Sequence, residues 1–148
     1  MKPAIKVLGV PDDINSSFMR GSSAAPPLIR EALYSASSNL FSESGLNLDQ
    51  EGVWDDLGDI EFTGEVAVEN FKKIKTFVKD VLVSDQKLVS LGGDHSVSWP
   101  ILDAHLDKWD ALDILHIDAH PDLYDSLLGN KLSHCLLYTS DAADEQWS

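Results

Sequence analysis

Lys87-Leu88-Val89-Ser90-Leu91, followed at once by Gly92-Gly93-Asp94-His95-Ser96, is the stretch that decides the fold. Its first half is short, largely apolar and stopped by glycine, which reads as a strand. Two glycines after a strand allow a sharp turn and close backbone approach. Residues 97–106 then read as a helix, provided Pro100 sits in its first turn, where a missing N–H costs nothing.

The same alternation continues outward. Residues 4–10 (AIKVLGV) read as a buried strand ending near a glycine, and residues 11–25 as a loop rich in Asp, Ser, Gly and Ala. Pro26-Pro27 sits where a helix can start, and residues 28–33 continue it with helix formers. Residues 35–47 are polar and weakly patterned, a loop; residues 53–59 read as a short strand running into a turn. The clearest helix covers residues 65–83, where Ala67, Phe71, Ile74, Val78 and Leu82 form one apolar stripe. Residues 112–118 (LDILHID) read as another buried strand. Strands alternating with helices predict an α/β fold with a mostly parallel sheet, whose ligands bind beyond the carboxyl ends of the strands.

Two of those strand ends are dense in metal-ligand residue types. One is Gly92-Gly93-Asp94-His95-Ser96, which read alone is an ordinary turn with Asp94 or Ser96 capping a helix. The other is His116-Ile117-Asp118-Ala119-His120-Pro121-Asp122. Alternate side chains of an extended chain share a face, so His116, Asp118, His120 and Asp122 would point the same way. Carboxylates and imidazole brought this close repel, or lose solvation, unless a cation sits among them. Imidazole with carboxylates suits Mn, Fe, Zn or Ni, and carboxylate-rich sets lean towards Mn. His116 lies deeper in the strand and reads as a hydrogen-bonded core histidine. His134 follows the cluster closely enough to be a proton-transfer group. His105 has no such context and reads as a helix-surface or core residue.

Composition narrows the partners. The chain has 148 residues, of which 43% are hydrophobic and 24% charged. A chain of this size hides about 70% of its unfolded surface, enough for one core and too little for two. The net charge of −14 argues against nucleic acid and for cations or cationic small molecules. The single Cys135 excludes an internal disulfide framework and an all-cysteine zinc cluster, and a cytoplasmic setting is expected. No segment approaches the ~18 apolar residues of a membrane span.

Gly92-Gly93-Asp94-His95-Ser96 followed by Asp118-Ala119-His120-Pro121-Asp122 resembles the ureohydrolases: arginase, agmatinase and their relatives. Gly21, Pro27, Ile29 and Arg30 resemble the stretch that opens the family's first helix, and Asp56-Leu57-Gly58-Asp59 its D-x-G-D element. Asp122-Leu123-Tyr124-Asp125, Gly129-Asn130-Lys131 and Ser133-His134 are most similar to the plant-arginase and agmatinase-like branch. The resemblance implies a three-layer α/β/α fold and a dinuclear manganese centre holding two Mn2+ ions. It implies that His95, Asp118 and Asp122 bind one ion, that His120 binds the second with Asp118 bridging both, and that His134 shuttles protons.

The implied reaction is hydrolysis of a cationic guanidino substrate such as arginine or agmatine, releasing urea. The alternatives are a formimino-substrate ureohydrolase, another metal amidohydrolase, or a non-catalytic truncated fragment. A homo-oligomer is expected of the full-length enzyme. The family's D-x-D pair and the glutamate that holds the guanidinium group do not occur in this sequence. Residues 1–134 are therefore expected to be the N-terminal part of a single ureohydrolase domain, inactive alone. Residues 135–148 differ in character from the family's continuation and are expected to be a non-native tail.

Overall fold

The computed structural model describes residues 5–83, 86–124, 127 and 129–133. Its elements are β1 (Ile5–Val10), α1 (Ala25–Leu33), β2 (Trp54–Asp59), α2 (Ala67–Leu82), β3 (Lys87–Gly92) and α3 (Ser98–Leu106). The three strands form one parallel sheet in the order β2-β1-β3. β1 is therefore the central strand, and each strand's carboxyl end opens on the same edge of the sheet.

The period-2 alternation of β1 sorts its side chains between two layers. Leu8 and Val10 face a core built with Phe71, Ile74, Val78 and Leu82 of α2, Val97, and Ala104 of α3. These four α2 residues belong to the apolar stripe expected from the sequence; its fifth member, Ala67, is only half-buried. Ion pairs from Lys75 to Asp103 and Asp107 and from Lys79 to Asp107 hold α2 against α3. On the opposite face, Ile5 and Val7 meet Ile29 and Leu33 of α1, with Val89 and Leu91 of β3, around an apolar pocket. Helices thus cover both faces of a parallel sheet, the three-layer arrangement expected. The prolines that could have broken helices sit in first turns, Pro26 and Pro27 in α1 and Pro100 in α3.

Residues 112–118 form no strand among the described residues and are not buried; Leu115 is 86% and Ile117 88% exposed. An apolar, β-branched run reports that a segment suits burial in a sheet; it does not specify which strand will pair with it. No described strand supplies that partner, and the outer edge of β3 is likewise unpaired among the described residues.

α1 is pinned to the end of β2 by one side chain. Arg30 donates from Nε and Nη2 to the two carboxylate oxygens of Asp56 (2.7 and 2.9 Å), from Nη1 to Asp59, and from Nη2 to the Gly58 carbonyl (3.1 Å). Gly58 has φ +75°, a left-handed conformation that suits glycine. The Arg30 hydrogen bonds hold the Asp56 carboxyl below the usual carboxylate range. Because the folded-state value is depressed, this stabilisation is present above the unfolded value of 3.8 and is lost as pH falls below it. Arg30→Lys keeps the charge but loses the planar fork, and is expected to cost about 1 kcal/mol at pH 7. The difference in unfolding free energy between the two proteins should shrink as pH falls below that range; a pH-independent difference would contradict the assignment.

Candidate metal centre

The chain leaves β3 through Gly93, where a Cβ would lie 1.9 Å from the Asp12 carbonyl oxygen. Only glycine lets the two backbones approach this closely. The gain is a continued ladder beyond the strands: Gly93 N–H donates to the Val10 carbonyl and Asp94 N–H to the Asp12 carbonyl, each at 2.9 Å. The Asp94 carboxylate accepts from Ser96 N–H at 2.9 Å and caps the turn His95–Val97. Asp94 is thus the cap, and His95 is the residue presented at the rim. Ser98 Oγ lies 3.2 Å from His95 Nδ1, which orients the ring so that Nε2 faces Asp122 Oδ2 at 3.2 Å. This Nε2 is buried and makes no hydrogen bond among the described residues.

The second motif reaches the same point from another direction. The irregular segment ending at Asp118 brings His116 and Asp118 together; His116 Nε2 lies 3.8 Å from Asp118 Oδ2 and 3.7 Å from Asp122 Oδ2. The chain then bends. Asp118 Oδ1 accepts the His120 N–H at 2.9 Å, and Asp122 takes φ +50°, a conformation Asp tolerates better than most residues. This bend breaks the alternation read from the sequence. It turns Asp122 inward, to 5% exposure, and leaves the His120 side chain 80% exposed, with Nδ1 3.6 Å from Asp118 Oδ1.

His95, His116, Asp118 and Asp122 each offer a ligand atom, all within 4.8 Å of one another. Of the residues expected from the sequence to bind metal, His95, Asp118 and Asp122 come together here, and His120 stands beside them. His116, expected as a core histidine, joins the group, its ring stacked on that of His95 at 5.4 Å. The alternation of the motif carried this signal, since it put His116 on the face of Asp118. His134 and residues 135–148 lie outside the described residues. His105 hydrogen-bonds the Ile101 carbonyl through Nδ1 and stacks on Trp109, a structural role.

The donor set fits a divalent cation. A buried imidazole nitrogen without a hydrogen bond is costly unless something charged or polar meets it, and it faces a buried carboxylate. The His120 N–H, with the nearby histidines, holds the Asp118 carboxyl below its ordinary range. Two imidazoles with two carboxylates suit a first-row divalent metal.

Fold and site together describe an α/β protein with a histidine–aspartate cluster able to hold a metal ion at the carboxyl end of a parallel sheet. The family model described as "Arginase family" matches residues 3–146, and the chain belongs to that family. It is similar to arginase 1, mitochondrial, of Oryza sativa subsp. indica, at 41% identity over 141 residues, covering 90% of this chain and 42% of that protein. The agmatinase of Bacillus cereus is 36% identical over 133 residues, covering 88% of this chain and 44% of that protein. Among solved structures, the arginase of Medicago truncatula superposes with a TM-score of 0.83 at 40% identity, covering 90% of this chain and 44% of that one. The chain spans less than half the length of these relatives.

Proposed function

We propose that this chain supplies the ligand-bearing N-terminal part of a manganese-dependent hydrolase that cleaves a cationic guanidino compound, such as arginine or agmatine, and releases urea. The observation that carries the reading is the convergence of His95, Asp118 and Asp122 from two separate motifs onto one point. In this reading His95, Asp118 and Asp122 hold one Mn2+, and Asp118 and His120 contribute to a second. Bound divalent metal would lower the pKa of a water from 15.7 towards ~7, providing hydroxide at neutral pH.

The remaining work falls to the side chains. Ser98 fixes the His95 ring so that Nε2 faces the cluster. The Asp118 and Asp122 carboxylates draw a guanidinium cation towards the rim, and the net charge of −14 adds to that field. His134 relays a proton between solvent and the leaving amine, so that the tetrahedral intermediate collapses to urea and amine. The full-length enzyme is a homo-oligomer in this account, and the 148-residue chain alone is inactive.

A chimera tests this. Residues 1–134 would be joined to the matching remainder of the Medicago truncatula arginase, loaded with Mn2+, and offered arginine, agmatine and a formimino compound. Urea from a guanidino substrate is the expected product. A folded, metal-loaded chimera that released only formamide, or no product, would overturn the proposal.

A further inference from the structure

The turn that carries His95 is gripped by a buried polar network that the metal cluster does not include. Asp12, 3% exposed, and Asn70, 5% exposed, lie beneath it. Asp12 Oδ2 accepts from Asn70 Nδ2 at 3.0 Å, and its Oδ1 accepts the Ile14 N–H at 3.2 Å. The Asp12 carbonyl accepts the Asp94 N–H, one residue before His95. Further contacts reinforce the grip: Ser16 Oγ donates to Asp94 Oδ2 at 3.1 Å, and Asn15 Nδ2 to Ser96 Oγ at 3.3 Å. Asn70 belongs to α2, whose following residues Phe71 and Ile74 enter the core. The segment from Asp12 to Ser16 thus ties the His95 turn to the rigid helix.

We infer that Asp12, held by Asn70, is a positioning residue for His95: it sets the height at which the imidazole meets Asp122. Side chains that orient metal ligands typically change metal affinity by ~10–100-fold when removed. Asp12 acts one step further out, through the Asp94 N–H, so an effect near ~10-fold is expected. The inference rests on the metal reading of the cluster.

The test is Mn2+ titration of the 148-residue chain, with amide hydrogen exchange of the metal-free protein as a second readout. Asp12→Ala and Asn70→Leu should each weaken Mn2+ binding about tenfold and speed exchange at Gly93 and Asp94. Asp12→Asn should restore affinity, because Asn70 can flip its amide and accept from the new donor. Val78→Ala, a core cavity about two turns along α2 from Asn70 and outside the hydrogen bonds of this network, should lower stability and leave affinity unchanged. Unaltered affinity in Asn70→Leu or Asp12→Ala would overturn the inference, as would an equal loss in Val78→Ala. Should Asp12→Ala fail to fold, Asn70→Leu and the Asp12→Asn rescue decide. A wild-type chain that bound no Mn2+ would overturn the metal reading and this inference with it, a result distinct from equal binding by wild type and variants.

Discussion

Asp122→Ala is expected to weaken Mn2+ binding by at least about 100-fold, more than the ~10–100-fold typical of residues that only orient a ligand. Asp122 is the buried carboxylate of the cluster, and its Oδ2 lies 3.2 Å from His95 Nε2. Its loss would leave one carboxylate and two imidazoles, with the His95 nitrogen facing an apolar methyl group. Asp122→Asn is the sharper comparison, because it keeps shape and hydrogen-bonding capacity and removes the charge. Calorimetric titration checks both. If Asp122→Ala bound Mn2+ as the wild type does, the carboxylate would not be a ligand.

Gly93→Ala is expected to destabilise the protein by about 3 kcal/mol, at the upper end of ordinary overpacking costs. The added Cβ would lie 1.9 Å from the Asp12 carbonyl oxygen, a backbone atom that cannot swing aside as a side-chain tip can. Relief requires β1 and β3 to separate just beyond their last paired residues, Val10 and Gly92. That would break the Gly93-to-Val10 and Asp94-to-Asp12 hydrogen bonds and carry His95 away from Asp122. Stability should therefore fall together with metal affinity, in contrast to Gly64→Ala, where a Cβ meets nothing within 4 Å. Urea unfolding of the two variants separates them. A Gly93→Ala protein as stable as Gly64→Ala would show that the close approach is not maintained in solution.

The helices and the first three strands were legible because their signals are local. A 3.6-residue stripe identified α2, Pro26-Pro27 marked the first turn of α1, α3 was readable on the condition that Pro100 sat in its first turn, and glycine ended β3. A cap at Asp94 or Ser96 and a close approach at Gly92-Gly93 were readable for the same reason; the structure puts the cap at Asp94 and the close approach at Gly93. Segment 112–118 was misread as a buried strand because burial is decided by partners distant in sequence. The cluster lay between these cases. His95, Asp118 and Asp122 could be paired from two motifs, but the direction of each side chain depended on the bend at residues 119–122. A strict alternation rule brings His120 in and keeps it beside Asp122; the left-handed Asp122 reverses that order. The Asp12–Asn70 network carried no sequence signal, since an Asp in a loop and an Asn on a helix are ordinary until the fold buries them together.

The claim on which all of this depends is that His95, Asp118 and Asp122 form a divalent-metal site. The most direct measurement is anomalous scattering at the manganese edge from crystals of the protein grown with Mn2+. The account predicts a peak enclosed by His95 Nε2 and the Asp118 and Asp122 carboxylates, with ligand distances of ~2.0–2.3 Å. Manganese found only elsewhere on the molecule, with His95 Nε2 still facing Asp122 and no ion between them, would contradict it.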